Sequence, residues 1–159
     1  KKLGLDEKTL HILKIGGLFH DIGKIGIPDS ILLKESKLSD EEYSQIKNHP
    51  MIGVHMLGDA AIFTDILPIV KHHHERYDGK GYPDGLVGDE IPICAQLVSV
   101  ADVYDALVNE RCYKDAFSKE DAYRMIITGE CGVFSPKLME SFRKVRPAFE
   151  KLANKSFRK

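Results

Sequence analysis

Apolar residues recur every three or four positions over most of the chain, the spacing of helices that bury one face. Leu10, Leu13, Gly17 and Leu18 share such a face and predict a first helix over residues 6–22. The stretch GKIGIPDS (23–30) ends it, because two glycines and a proline disfavour helix. SDEE (39–42) has the form of a capping box, with Ser39 as the cap and Glu42 reaching back. The helix it opens should run to about Asn48, where Pro50 stops it or starts the next. Further helices are expected over 51–57 and over 61–77, with Pro68 near a start or a kink. Residues 93–110 are the most apolar stretch and should form the central helix. Ser118 should cap a helix ending near Thr128, and Pro136 suits the first turn of the last one. The basic end, 146–159, reads as a tail or a fraying helix end. A clear strand pattern never occurs, so the expected fold class is all-α.

The periodicity fails over residues 78–92. Gly79, Gly81, Gly85 and Gly88, with Pro83 and Pro92, make this a loop. Long connections of this kind in compact domains are usually functional.

Composition narrows the class. With 159 residues, 43% hydrophobic and 30% charged, the chain has the make-up of one ordinary globular domain. A net charge of −1 offers no basic face for a DNA or RNA polymer. Cys94, Cys112 and Cys131 are widely spaced and form no CxxC pair, which argues against a zinc–thiolate cluster or a disulfide framework and suits a reducing cytoplasm. No apolar run approaches the length that crosses a bilayer, so no membrane contact by this domain is expected. The opening KKLGLDEKTL lies close to a helix start and reads as part of something longer.

Several polar groups are then hard to place as structure. HHHERYDGKGYPDG (72–85) sets three histidines before the loop, and imidazole is the commonest protein metal ligand. FHDIGK (19–24) puts His20 beside Asp21 at the end of an apolar helix. Asp102 lies inside QLVSVADVYDALV, where a buried carboxylate needs a metal, a cation or a proton. Asp105, three residues on, shares nearly the same face. Each has an ordinary alternative: a surface histidine run, a surface His–Asp pair, an Asp paired with an Arg, or, for His49, a cation at a helix C-terminus. Together, His20, Asp21, His49, His73, His74 and Asp102 form a nitrogen-and-oxygen ligand set without thiolate, suited to iron, manganese or zinc. They exceed the four ligands of one tetrahedral zinc, so two metals are the economical reading, with Asp21 placed to bridge. His72 should stay out, because three successive helical residues fan over about 200°. His11 and His55 read as surface or satisfied helix residues, and DEEYSQIK as a solvated helix face.

HDIGKIGIP (20–28), NHP (48–50), HHERYDGKGYP (73–83) and VADVYDAL (100–107) resemble the HD-GYP domain, a branch of the HD metal-dependent phosphohydrolases. The similarity covers about residues 3–145, with the motifs in family order. It implies an all-α HD-domain bundle of about six to eight helices with a long Gly/Pro-rich GYP loop. It also implies two or three divalent transition metals, iron or manganese foremost, with zinc, nickel or cobalt compatible. The implied activity is hydrolysis of cyclic di-GMP to linear pGpG or GMP, or of a related cyclic dinucleotide containing adenine, by a metal-activated hydroxide. Carried over by resemblance, His20, Asp21, His49, His73, His74 and Asp102 are metal ligands, and Asp105 supports them. Lys24 reaches the scissile phosphate, Arg111 and Lys114 contact phosphate, and Gly81, Tyr82 and Pro83 are the GYP triplet that shapes the substrate site.

The resemblance also marks departures and an alternative. In the family, a helix upstream of the position of Lys1 supplies another histidine ligand, and His11 is placed on the wrong side of its helix to replace it. Cys112 stands where proline is common. A non-catalytic alternative is a cyclic dinucleotide sensor, or a module that docks on a diguanylate cyclase (GGDEF) domain through the GYP loop. A sensory or receiver domain would complete either protein.

Overall fold

The computed structural model describes residues 5–110 and 116–156, the last five as backbone only. Among these residues the fold is all-α, in agreement with the periodicity. Its helices are α1 (Glu7–Phe19), α2 (Asp29–Leu32), α3 (Asp40–Ile46), α4 (His49–Leu57), α5 (Leu67–His72), α6 (Ile93–Val108), α7 (Lys119–Thr128) and α8 (Pro136–Ser156). Short 3-10 segments cover Ile22–Gly26, Ala61–Ile66 and Gly88–Glu90. An isolated antiparallel bridge between Asp78 and Val87 pinches the long loop at its base. No helix among the described residues is long and apolar enough to cross a membrane.

The expected helix starts are present. The Ser39 hydroxyl accepts from Glu42 N–H while the Glu42 carboxylate accepts from Ser39 N–H, completing the capping box of α3. Ser118 accepts from Asp121 N–H at 3.0 Å to start α7, and Gly129 ends it in the left-handed conformation.

Helix ends differ from the periodic reading. α1 stops at Phe19, not residue 22, and its buried position is Gly16. Leu18, expected on the inner face, is 72% exposed, whereas Ile12, Ile15 and Phe19 pack against Leu57, Ile66 and Val70. The stretch 61–77 is not one helix either: a 3-10 segment precedes α5, and Pro68 sits in the first turn of α5. His73 is therefore a C-cap residue and His74 lies in a turn. The segment 146–159, expected as a tail or frayed end, continues α8 as far as Ser156. Phe149 packs edge-on to Tyr104 and Phe142 there, and Arg146 pairs with Glu150 at 2.6 Å.

The core has two parts joined by α6, which packs against α1, α5, α7 and α8. Val100, Tyr104, Leu107 and Val108 of α6 meet Ala122 and Ile126 of α7 and Leu138, Met139 and Phe142 of α8. A second cluster joins α1, α4 and α5. Between the two, on the side of α6 that carries Asp102, polar residues collect.

Candidate metal centre

Four pieces of chain converge on one point. The turn after α1 brings His20 and Asp21, the start of α4 brings His49, the end of α5 brings His73 and His74, and the middle of α6 brings Asp102. A helix end exposes unpaired carbonyls, and three histidines use them. His20 Nδ1 donates to Gly17 O at 2.8 Å, His49 Nδ1 to Ile46 O at 2.7 Å, and His73 Nδ1 to Val70 O at 3.0 Å. With Nδ1 as donor, the Nε2 of a neutral imidazole carries a free lone pair, the form that ligates metal.

Gly23 makes the approach feasible. A Cβ there would lie 1.9 Å from His49 O and 2.5 Å from Gly53 N, so any side chain would push the HDIGK turn off α4.

The donors form two groups that share Asp21. Asp21, His49, His73 and His74 are one; His20, Asp21 and Asp102 are the other. Asp21 Oδ1 is 3.2 Å from His49 Nε2 and 3.7 Å from His73 Nε2. Asp21 Oδ2 is 3.4 Å from His20 Nε2 and 2.5 Å from Lys24 Nζ. His20 Nε2 is also 3.8 Å from Asp102 Oδ1.

Metal ions fit this arrangement. His49 and His73 are fully buried, and their Nε2 atoms face each other at 3.3 Å. Opposed lone pairs at that distance repel unless a cation lies near. His20 Nε2 and Asp21 Oδ1 are buried without a hydrogen-bond partner, which is costly unless a ligand satisfies them. The set is nitrogen and oxygen throughout, as borderline divalent metals require.

Asp21, His73 and His74 hold the charge states that ligation needs, whereas His20 must first lose a proton. Burial opposes the charge of Asp21, but His20, His49, His73 and Lys24 outweigh it and hold its carboxyl far below the usual range. Burial likewise opposes charging of His20, yet Asp102 and Asp21 push its pKa up to about 10. Burial lowers both His73 and His74, for His74 reinforced by His73 and His49, so both stay neutral.

His72 faces elsewhere, as the angular argument requires. Its Nδ1 lies 3.9 Å from Glu75 and 3.7 Å from Asp84, on the loop side. Asp105 is exposed, and its carboxylate accepts from Asn109 Nδ2 at 2.8 Å, so the structure does not bring it to the cluster. One helical turn from Asp102, it has rotated far enough to reach solvent. His11 and His55 are exposed. Arg111 and Lys114 lie outside the described residues, as does Cys112.

Glu75 has a role that sequence reasoning missed. It is buried, and its carboxylate accepts the N–H groups of Asp84 at 2.8 Å, Gly85 at 3.1 Å and Leu86 at 3.1 Å. It thereby pins the far end of the GYP triplet beside the histidines. Gly81 lies so close to the chain at residues 75 and 76 that a Cβ would sit 2.3 Å from Glu75 Cα. Tyr82, joined to Pro83 by a cis peptide bond, stacks on His74 with ring centroids 4.8 Å apart. Arg76 holds the same turn from behind, donating to Ser99 Oγ at 2.8 Å. The sequence signal for Glu75 was its place inside the HHERYDGKGYP stretch, directly after the histidines.

A sequence model described as "HD domain" matches residues 1–133. The chain is 41% identical over 154 residues to the cyclic di-GMP phosphodiesterase response regulator RpfG of Xanthomonas campestris pv. campestris, covering 96% of this chain and 41% of that protein. It is 38% identical over 139 residues to the 3'3'-cGAMP-specific phosphodiesterase 2 of Vibrio cholerae, covering 86% of this chain and 27% of that protein. Its fold is similar to that of Bd1817, a HDG"Y"P protein from Bdellovibrio bacteriovorus, with a TM-score of 0.71 and 25% identity over 91% of this chain and 46% of that one. The chain therefore belongs to the HD domain family, in its HD-GYP branch. It spans less than half the length of each of these relatives.

Proposed function

We propose that the chain is a metal-dependent phosphodiesterase that opens a cyclic dinucleotide, cyclic di-GMP foremost, to linear pGpG and onward to GMP. The observation that carries this reading is the single carboxylate of Asp21 facing two separate donor groups. A phosphodiester resists attack because it is anionic, and such a site can hold two cations against it. The similarity to a cyclic di-GMP phosphodiesterase and to a cGAMP-specific one supports the substrate class.

His49, His73, His74 and one oxygen of Asp21 would hold one ion; His20, Asp102 and the other oxygen would hold the second. We assign iron or manganese to the site, by its donor set. Bound there, such ions supply Lewis-acid charge and make water acidic enough to act near neutral pH. The chain's own part is to fix the imidazoles through their Nδ1 bonds and to exclude water from the buried side. Lys24, at the rim of the centre, would hold a non-bridging phosphate oxygen, and Arg111 and Lys114 would add further positive charge. With a nucleotide messenger as substrate, the domain would work in the cytoplasm, with a GGDEF-domain protein as partner and a sensory or receiver domain as regulator.

The test is incubation of manganese- or iron-loaded protein with cyclic di-GMP and with 3'3'-cGAMP. Expected is linear dinucleotide, abolished by a chelator and restored by metal. Metal-loaded protein that binds cyclic di-GMP without turnover would contradict the enzyme and support the sensor alternative.

A further inference from the structure

A cleft of about 820 Å3 opens beside the metal centre, between the α2–α3 connection and α3. Lys24, Leu32, Lys34, Leu38, Tyr43 and Ile46 are among its lining residues. Lys24 belongs to both places, since its Nζ also meets Asp21 Oδ2 at 2.5 Å. The cleft is therefore continuous with the position assigned to the reacting phosphate.

Its lining mixes apolar groups with charges of both signs, Lys24, Lys34 and Lys37 beside Glu35 and Asp40. Leu32, Leu38 and Ile46 offer flat apolar contact, while Lys24 offers positive charge at the end nearest the metal centre. Tyr43 is 49% exposed, and Lys47 Nζ lies over its ring at 5.2 Å from the centroid, leaving an electron-rich surface already engaged on one side by a cation. The wall is braced. Lys34 Nζ donates to both oxygens of Glu42 at 2.7 Å, and Glu42 is the residue that completes the α3 capping box next to Tyr43.

We propose that this cleft receives one nucleoside of the dinucleotide, with Tyr43 stacking on its base. The inference rests on the dinucleotide reading above and deepens it. Pockets for small ligands are of order 300–1,000 Å3, mostly apolar, with a few placed polar groups, and this cleft has that size and character. In a cyclic dinucleotide each phosphate is bonded to both nucleosides, so a site that holds one phosphate at Lys24 must place both of them close by. The cleft is what adjoins Lys24 on the side of α3. The solvated face expected for DEEYSQIK thus carries one residue with a recognition task.

The experiment measures equilibrium binding of cyclic di-GMP and of inorganic phosphate to metal-loaded protein, as wild type, Tyr43→Ala and Tyr43→Phe. Base–aromatic stacking predicts that Tyr43→Ala weakens cyclic di-GMP binding about tenfold or more, while Tyr43→Phe stays within about twofold. Phosphate, which has no base, should bind all three alike. Unchanged cyclic di-GMP affinity in Tyr43→Ala, or a parallel loss of phosphate affinity, would overturn the proposal. Wild-type protein that binds phosphate but not cyclic di-GMP would refute the dinucleotide reading itself and take this inference with it.

Discussion

Asp21 Oδ1 lies 3.2 Å from the Nε2 of the fully buried His49. That contact joins the turn after α1 to the start of α4, and it uses only one oxygen of the carboxylate. The other oxygen faces His20 and Lys24. A side chain divided in this way connects the two halves of the centre, and the consequences differ for each neighbour.

Lys24 touches Asp21 but should serve phosphate. Lys24→Ala is expected to retain metal, because a lysine ammonium is not a ligand. Turnover of cyclic di-GMP should fall about 100-fold, the usual cost of losing one oxyanion donor. Metal content by elemental analysis and kcat on the same preparation check this; an unchanged kcat would remove Lys24 from the reaction.

His20 makes metal binding pH-dependent. Its pKa of about 10 in the metal-free protein means that the imidazolium is present below that pH and lost above it. Metal on Nε2 must displace that proton at neutral pH. Apparent metal affinity should therefore rise with pH, by about tenfold per unit for one displaced proton, until the imidazole is already neutral. Titration calorimetry in buffers of different ionisation enthalpy should read about one proton released per chain. Zero release would mean that His20 is not a ligand.

Glu75 is expected to stabilise the fold rather than bind metal. Glu75→Ala leaves the N–H groups of Asp84, Gly85 and Leu86 without their acceptor. Denaturant unfolding of the metal-free protein should show a loss of about 3 kcal/mol, and Glu75→Gln should recover part of it because an amide oxygen still accepts. A loss below about 0.5 kcal/mol would be that of an ordinary surface position and would contradict the clamp.

The sequence disclosed the centre better than the boundaries around it. Asp102 stood out because a carboxylate conflicts with an apolar helix, whereas His20, Asp21, His49, His73 and His74 gained meaning only as a joint donor set and through the motifs that carry them, and the structure brings all six together. Periodicity, by contrast, continues past the point where a helix ends. His20 turns its Nδ1 onto Gly17 O, and the chain tightens into a 3-10 turn although the apolar spacing persists. Leu18 and Gly16 exchanged places for a related reason. Ile69 approaches α1 so closely that a Cβ on Gly16 would meet its Cδ1 at 2.3 Å, and a pattern that counts large apolar residues passes over such a contact. The role of Glu75 depends on a loop folding back nine to eleven residues later, which no local spacing encodes. Asp105 shares a helical face with Asp102 by counting, but the centre is narrow enough for that one turn to carry it into solvent.

Elemental analysis of wild type beside Asp21→Ala tests the organisation of the centre most directly. Wild type should contain at least two first-row transition-metal ions per chain after loading. Asp21→Ala should lose both, because each donor group is left without a carboxylate oxygen it needs. Stoichiometric metal persisting in Asp21→Ala would contradict the shared carboxylate on which the proposed phosphodiesterase rests.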